Sequence, residues 1–456
     1  MHETLTLTVG QLRPGLYIHL DLGWMDHPFP LSHFKITGDS HLATLRTLGL
    51  GRVRVDAEKS DVAVLEARVA EGLLSAKQAE ANSVLRAQAE ARRAAEAAAA
   101  IGEAPPPALS PEAAERLARR AALEAEQACA ALAERRYNEA SKALKAAFDL
   151  ALKQPAAARE QAEGQVRFFL DHLLGAEELA IRLLSESAGD RAAMHGINVA
   201  VLSLLLGKQV GLTKDEMFDA GVGAMLHDVG KIELPDRVRW LDASAPGVPQ
   251  HERQYYQEHV SRGVVIGRGM NLAPGALLVI AQHHEHADGS GFPLRLTAER
   301  MTAAARIVAL VNRYDRLCNP PTLDKALTPH EALAHMYSQL KHRFDAAVFA
   351  LFIKMMGVYP PGSLVQLNDE RYGMVVGVNA ARPLKPRVLV HDAKTRREDA
   401  LPLSLESLPG LGIRRSLRTA QLPAHALGYL SPRPRITYFF EPAGAVYPEA
   451  TAGAAR

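Results

Sequence analysis

Cysteine is nearly absent. Cys129 and Cys318 are the only two in 456 residues, and neither sits in a Cys-x-x-Cys pair. That excludes a disulfide framework and points to a reducing, cytoplasmic compartment. A surplus of one charge is lacking too: Lys+Arg number 53 and Asp+Glu 51. No global field draws such a chain toward a nucleic-acid polymer or an anionic membrane, so a phosphate-bearing ligand has to be held by a local site. Long apolar runs are also missing. The longest, residues 197–206, is interrupted by Asn198 and Ser203 and is too short to span a bilayer. The first residues, Met1-His2-Glu3-Thr4, have neither the basic region nor the apolar core of a signal peptide. The expectation is a cytoplasmic protein with no membrane span.

What is present is an ordinary globular composition, 48% hydrophobic and 23% charged, in a chain long enough for two to four domains. Residues 1–65 read as a small β-rich domain. Thr4-Leu5-Thr6-Leu7-Thr8-Val9 alternates with period two, Pro14-Gly15 signals a turn, and Leu16-Tyr17-Ile18-His19-Leu20 and Val53-Arg54-Val55-Asp56 are further strands. Between them, residues 24–34 are rich in Pro, His and aromatics and read as a packed loop, with His27 and His33 structural. Residues 66–165 shift to Ala, Glu, Arg and Gln, strong helix formers with little capacity for a thick core. Pro105-Pro106-Pro107 breaks this stretch, and Ser110-Pro111 is suited to start a helix. The stretch reads equally as a coiled-coil helix, hence a homodimer contact, and as a solvated linker.

Residues 166–358 read as helical throughout. Thr213-Lys214-Asp215-Glu216 and Thr328-Pro329-His330-Glu331 are capping boxes, and Gly230 is placed to end the helix that leads to His227. Residues 359–440 return to strand patterns, in 363–367, 373–378 and 387–390, and read as a small C-terminal β module. Residues 441–456 are Ala/Gly-rich and read as a disordered tail. The basic run of Arg414, Arg415 and Arg418 lacks interleaved aromatics and reads as a solvated face.

Seven of 18 histidines fall between His195 and His286. They come with company: His227-Asp228-Val229-Gly230-Lys231, then His259 within Glu258-His259-Val260-Ser261-Arg262-Gly263, then His283-His284-Glu285 followed by Asp288-Gly289-Ser290-Gly291-Phe292-Pro293. Imidazole and carboxylate without thiolate suit Mn, Fe, Zn, Ni or Co in a reactive rather than a structural site. Two such cations about 3.5–4 Å apart can activate water and stabilise both oxygens of a phosphodiester displacement. Lys231 stands where it can meet a non-bridging oxygen. A lone His-Asp pair is weak evidence, but this ordered set on a helical frame is specific. His251 and His286 match no ligand position and read as surface or supporting residues.

Residues from about 190 to 350 resemble the HD-GYP domain, a branch of the HD metal-dependent phosphohydrolases. The resemblance rests on His195, the 227–231 motif, His259 with Gly263, His283-His284-Glu285 and the 288–293 loop, with Ala305-Arg306-Ile307-Val308 and Phe344-Asp345 downstream. Leu12-Arg13-Pro14-Gly15-Leu16-Tyr17-Ile18, Trp24 and His27-Pro28-Phe29 are similar to the domain of unknown function that often precedes it in bacteria. The implied fold is multidomain and mainly α, an all-helical HD-type phosphohydrolase domain flanked by the two small β-rich parts. The implied activity is hydrolysis of cyclic di-GMP to pGpG or GMP with two divalent ions, Fe or Mn. The implied metal ligands are His195, His227, Asp228, His259, His283, His284 and Asn312; Asp228 and Lys231 would be catalytic, and Lys231 and Lys325 would contact substrate. Three departures stand out. Phe292 replaces the Tyr of the motif. Asn312 stands where the family has a last Asp, with Asp315 on the same helical face as a partial substitute. The Arg-Pro-Tyr-Lys/Arg segment reads Pro320-Pro321-Thr322-Leu323-Asp324-Lys325. Arg191, four before His195, is not the Glu of trinuclear members, which implies a binuclear site. The competing reading is a weak or inactive protein that acts as a cyclic di-GMP receptor or signalling module; a third is hydrolysis of another nucleotide.

Overall fold

The computed structural model describes residues 5–20, 29, 33–48, 50, 52–56, 59–61, 64, 110–175, 178–184, 191–241, 247–379, 382–408 and 410–442. The Ala-rich stretch over 66–109, all but a few residues of the 24–34 loop, and the tail from 443 lie outside these. Two compact units divide the described chain, one before residue 133 and one over 133–442.

In the first unit, strands β1 (Leu5–Thr8), β2 (Tyr17–His19), β3 (His33–Lys35) and β4 (Arg52–Asp56) form an antiparallel sheet in the order β1-β4-β2-β3. Leu7 pairs with Val53, so one set of alternating positions faces the core. Helix α1 (Asp39–Thr47) adds Leu42 and Leu45 to that core. Neither α1 nor β3 was expected. Both are short and lie beside the Pro/aromatic loop, whose composition masks periodicity.

Helix α2 (Pro111–Leu150) starts as the sequence suggests, with the Ser110 hydroxyl accepting from the Ala113 amide at 3.2 Å, and α3 (Pro155–Gly175) follows. Ala133, Tyr137, Ala140, Leu144, Ala147 and Ala151 recur at spacings of four and three and are all buried in the main core. From residue 133 on, then, the Ala-rich stretch is no solvated spacer. Its small side chains are covered by the chain itself, in a core shared with Ala158, Ala162 and Val166 of α3.

Strand β5 (Leu179–Leu183) interrupts the region read as wholly helical. Its short apolar run fits strand and helix patterns alike, and pairing decides in favour of strand. Then come α4 (Arg191–Val210), α5 (Lys214–Leu226), α6 (Asp236–Arg239), α7 (Gln250–Gly269), α8 (Pro274–Gln282), α9 (Ala303–Cys318), α10 (Pro329–His335) and α11 (Ala346–Met356). Helix α4 is long and apolar enough to cross a membrane by length and composition, yet 78% of its apolar window is buried inside this unit. It is the central helix of the domain, apolar on every face because neighbours cover every face. Both capping boxes form: the Thr213 hydroxyl accepts from the Glu216 amide and Thr328 from Glu331, each carboxylate reaching back.

The remaining strands are β6 (Leu364–Leu367), β7 (Tyr372–Asn379), β8 (Arg387–Val390), β9 (Leu403–Ser404), β10 (Ile413–Leu417) and, after α12 (Ala424–Leu430), β11 (Tyr438–Pro442). Their sheet runs β10-β6-β7-β5-β11, with β8 on β7 and β9 on β8. The C-terminal strands thus share a sheet with β5, and β11 places Tyr438, Phe439 and Phe440 in the same core as the helices. Arg414 and Arg418 pair with Glu370 and Glu331, as befits a solvated face.

Candidate metal centre and its cavity

Helix ends deliver most of the site. His227 is the last residue of the α5 turn and Asp228 follows it; His283 caps α8 and His284 follows that. His195 lies one turn into α4, His259 in the middle of α7, and Asn312 and Asp315 on α9. Helix α5 ends at Leu226, before Gly230, so this glycine does not terminate it. It lies in the 3-10 turn Val229–Glu233, where an added Cβ would stand 2.0 Å from the His259 carbonyl oxygen. Only glycine lets this turn press against α7 and bring Asp228 to His259. Gly291 serves likewise in the 288–293 loop, where a Cβ would meet the His286 amide at 2.4 Å.

Asp228 is the hub. Its Oδ2 faces His227 Nε2 at 3.5 Å and His195 Nε2 at 3.8 Å, while Oδ1 faces His259 Nε2 at 3.5 Å and His283 Nε2 at 3.8 Å. Two groups of possible metal ligands result, His195–His227–Asp228 and Asp228–His259–His283–His284, joined by one carboxylate. Burial pushes the Asp228 carboxyl up, but Lys231 and the surrounding histidines outweigh it and hold it well below the ordinary range. Lys231 Nζ lies 2.5 Å from Oδ2.

The imidazole protons are assigned by the partners. Nδ1 of His227, His259 and His283 lies 2.7, 2.5 and 2.7 Å from the carbonyls of Ala224, Tyr256 and Ile280. A carbonyl only accepts, so each Nδ1 carries the proton and each Nε2 a lone pair. Nδ1 of His195 donates to the Asp315 carboxylate at 2.5 Å, which fixes the ring's orientation. Yet His195 Nε2 and His227 Nε2 are 3.1 Å apart, and His259 Nε2 and His283 Nε2 3.3 Å. Burial lowers His259 to about 3 and His283 well below the ordinary imidazole range, so no second proton bridges that pair near neutrality; burial also lowers His227, to about 4. Facing lone pairs around a carboxylate whose Oδ1 is buried without a hydrogen bond, with His284 Nε2 equally orphaned, suit divalent cations.

Asp315 is not the substitute ligand expected from its spacing. It is buried, and its Oδ1 accepts from Asn198 Nδ2 at 2.7 Å and Asn319 Nδ2 at 2.9 Å. A carboxylate behind a ligating histidine fixes its tautomer and raises its basicity. The two asparagines also clasp the segment entering β11. Both Nδ2 groups donate to the Ile436 carbonyl at 2.8 Å, Asn319 Oδ1 accepts from the Ile436 amide at 2.8 Å, and Asn198 Oδ1 from the Tyr438 amide at 3.1 Å. Asn312 is buried with Oδ1 3.1 Å from His195 Nε2. Phe292 stacks on His284 at 4.5 Å between centroids. Glu285, buried, accepts from the amides of Leu294 and Leu296 and pins that loop. His286 bonds Ser290, and His251 is exposed, neither at the centre.

A cavity of about 190 Å³ opens beside the His195 group, lined by His195, Asp228, Lys231, Arg191, Trp240 and Arg316 among others. Lys325, expected at the substrate, is exposed on the turn Leu323–Lys325 and does not line it; Pro321 does. The cationic lining of the cavity comes from Lys145, Arg191, Lys231, Arg239 and Arg316.

Histidines are thus gathered about one aspartate on a helical frame. The HD domain family matches residues 174–348, and the domain of unknown function DUF3391 matches 4–162. The chain carries a segment that matches an HD domain, preceded by one that matches DUF3391. It is 28% identical over 389 residues, 84% of both chains, to cyclic di-GMP phosphodiesterase PA4108 of Pseudomonas aeruginosa. The cyclic di-GMP phosphodiesterase response regulator RpfG of Xanthomonas campestris is 34% identical over 145 residues, 31% of this chain and 37% of its own length. The 3'3'-cGAMP-specific phosphodiesterase 2 of Vibrio cholerae is 27% identical over 172 residues, 37% of this chain and 32% of its own. Among solved structures, Bd1817, an HD-GYP-like protein of Bdellovibrio bacteriovorus, aligns over 76% of this chain and 97% of that one, at 15% identity and a TM-score of 0.36.

Proposed function

We propose that the chain is a phosphodiesterase that hydrolyses cyclic di-GMP to pGpG or GMP at a binuclear centre of Fe or Mn, held by His195, His227, Asp228, His259, His283, His284 and Asn312. The observation that carries this is the pairing of imidazole Nε2 atoms across the two oxygens of Asp228. Bound divalent cations supply Lewis acidity and an activated water to a phosphodiester. The protein's own part is positional. Asp315 holds the His195 tautomer, and Lys231, half-turned over the Tyr256 ring at 5.2 Å, presents a buried ammonium beside the carboxylate. Arg316, 3.9 Å from Asp228 Oδ2, adds charge where phosphate oxygens would become more negative. The Ala-rich helix before residue 133 is the proposed dimer contact, checked by sedimentation.

Asn312 favours a second reading, a receptor with weak or no turnover, because an amide oxygen binds a cation less strongly than a carboxylate. Purified protein is incubated with Mn or Fe and cyclic di-GMP, the products are separated by chromatography and the bound metal is counted. Turnover with two metals per chain is expected. No turnover with fewer than two would sink the proposal, and tight binding of intact cyclic di-GMP would establish the receptor.

A further inference from the structure

Arg191 begins α4, one helical turn before His195, and its guanidinium sits over the Trp240 indole at 4.4 Å from the ring centroid. Both side chains line the cavity that His195, Asp228 and Lys231 open into. This is a costly place for a cation. The first turn is the positive end of the helix macrodipole, which favours anions. Burial, then the guanidinium groups of Arg435 and Arg316, hold Arg191 down to about 10. Among the described residues no carboxylate forms an ion pair with Arg191, and Arg435 Nη1 is buried with no hydrogen-bond partner. The other cations of the cavity are matched. Lys231 has Asp228, Lys145 has Asp149 at 2.8 Å, and Arg239 donates to the carbonyls of Lys231, Ile232 and Leu234. Arg316 faces Asp228 at 3.9 Å, so among these lining cations the charge of Arg191 stands out, about 6 Å along the helix from His195. Folding alone gains nothing from setting Arg191 under the repulsion of Arg316 and Arg435 at a cavity wall; an anion bound at Arg191 removes the conflict.

We propose that Arg191, braced on Trp240 and flanked by Arg316 and Arg435, anchors the second phosphate of a substrate bearing two phosphodiester groups, while the first lies at Asp228 and Lys231. This rests on the cyclic dinucleotide reading above. The anchor makes a selectivity device: a diester with a single phosphate reaches the metal end only, and a cyclic dinucleotide engages both ends.

The test compares cyclic di-GMP with bis(p-nitrophenyl) phosphate, a single diester, on full-length wild type and Arg191→Met, which keeps the stem and removes the charge. The ratio of kcat/KM for cyclic di-GMP to that for the single diester is expected to fall at least about tenfold, the size of one charge-assisted contact, with the loss carried by KM. Arg191→Lys, which keeps charge but loses the planar fork, should fall between, and it serves as the reporter should Arg191→Met unfold. An equal loss on both substrates, or no loss, overturns the anchor while leaving the phosphodiesterase reading intact. Wild type that cleaves the single diester yet neither cleaves nor binds cyclic di-GMP overturns the substrate reading, and the anchor with it.

Discussion

His259 and His195 both present Nε2 to Asp228, but they are held in different ways. The Nδ1 proton of His259 goes to the Tyr256 carbonyl three residues back, and His283 is held the same way by Ile280. Forming the helix is enough to orient such a ring. His195 instead leans on Asp315 of another helix, which leans on Asn198 and Asn319, which in turn grip Ile436 and Tyr438. One side of the centre is assembled by local backbone geometry and closed over by Phe292. The other is assembled by long-range side-chain bonds, faces the cavity, and is where Asn312 departs from the HD-GYP pattern. The difference teaches where this site departs from the pattern: the cavity side carries Asn312 and also the long-range supports.

Four substitutions test this contrast. Asp228→Ala removes the group shared by both sides, and we expect activity to fall by more than about 100-fold with both metals lost, read by steady-state kinetics and metal content. Asp315→Asn keeps the shape but not the charge behind His195. Metal affinity should drop about 10- to 100-fold on that side only, leaving about one metal per chain tightly held; equal loss from both sides would erase the distinction. Asn319→Ala leaves the Ile436 amide without its partner and should cost about 1–3 kcal/mol of stability in chemical denaturation. It should also weaken the His195-side metal more than the His259-side metal, which a purely structural role would not do. Asn312→Asp restores a carboxylate and should tighten the same metal by about tenfold, the smallest effect of the four.

The histidines were legible in sequence because each sits in a short motif that its chemistry requires, and the capping boxes and most strands were legible because their signals are local. Asp315 was noticed, but as a ligand. Spacing placed it on the right face of α9 and could not say that His195 Nδ1 would reach it first. Asn198 and Asn319 were invisible, since 117 residues separate Asn319 from Ile436 and no local pattern marks such a bond. Arg191 drew attention only for not being Glu, since what makes it informative is the company of Trp240, Arg316 and Arg435. Strand β5 was read as helix because a five-residue apolar run takes its identity from its partners.

The asparagine clasp also imposes an order of events on synthesis. Every proposed ligand has been translated by Asn312, but the amides that Asn198 and Asn319 hold belong to residues still to come. At about 5–20 residues per second the 117 residues from Asn319 to Ile436 take on the order of ten seconds. During that interval a nascent chain carries the His259 side of the centre with all its orienting bonds available and the His195 side with Asp315, Asn198 and Asn319 but without the clasp onto Ile436 and Tyr438. The ribosome therefore delivers a half-braced site first, and a chain truncated before Tyr438 would keep every histidine motif while lacking the full clasp behind His195.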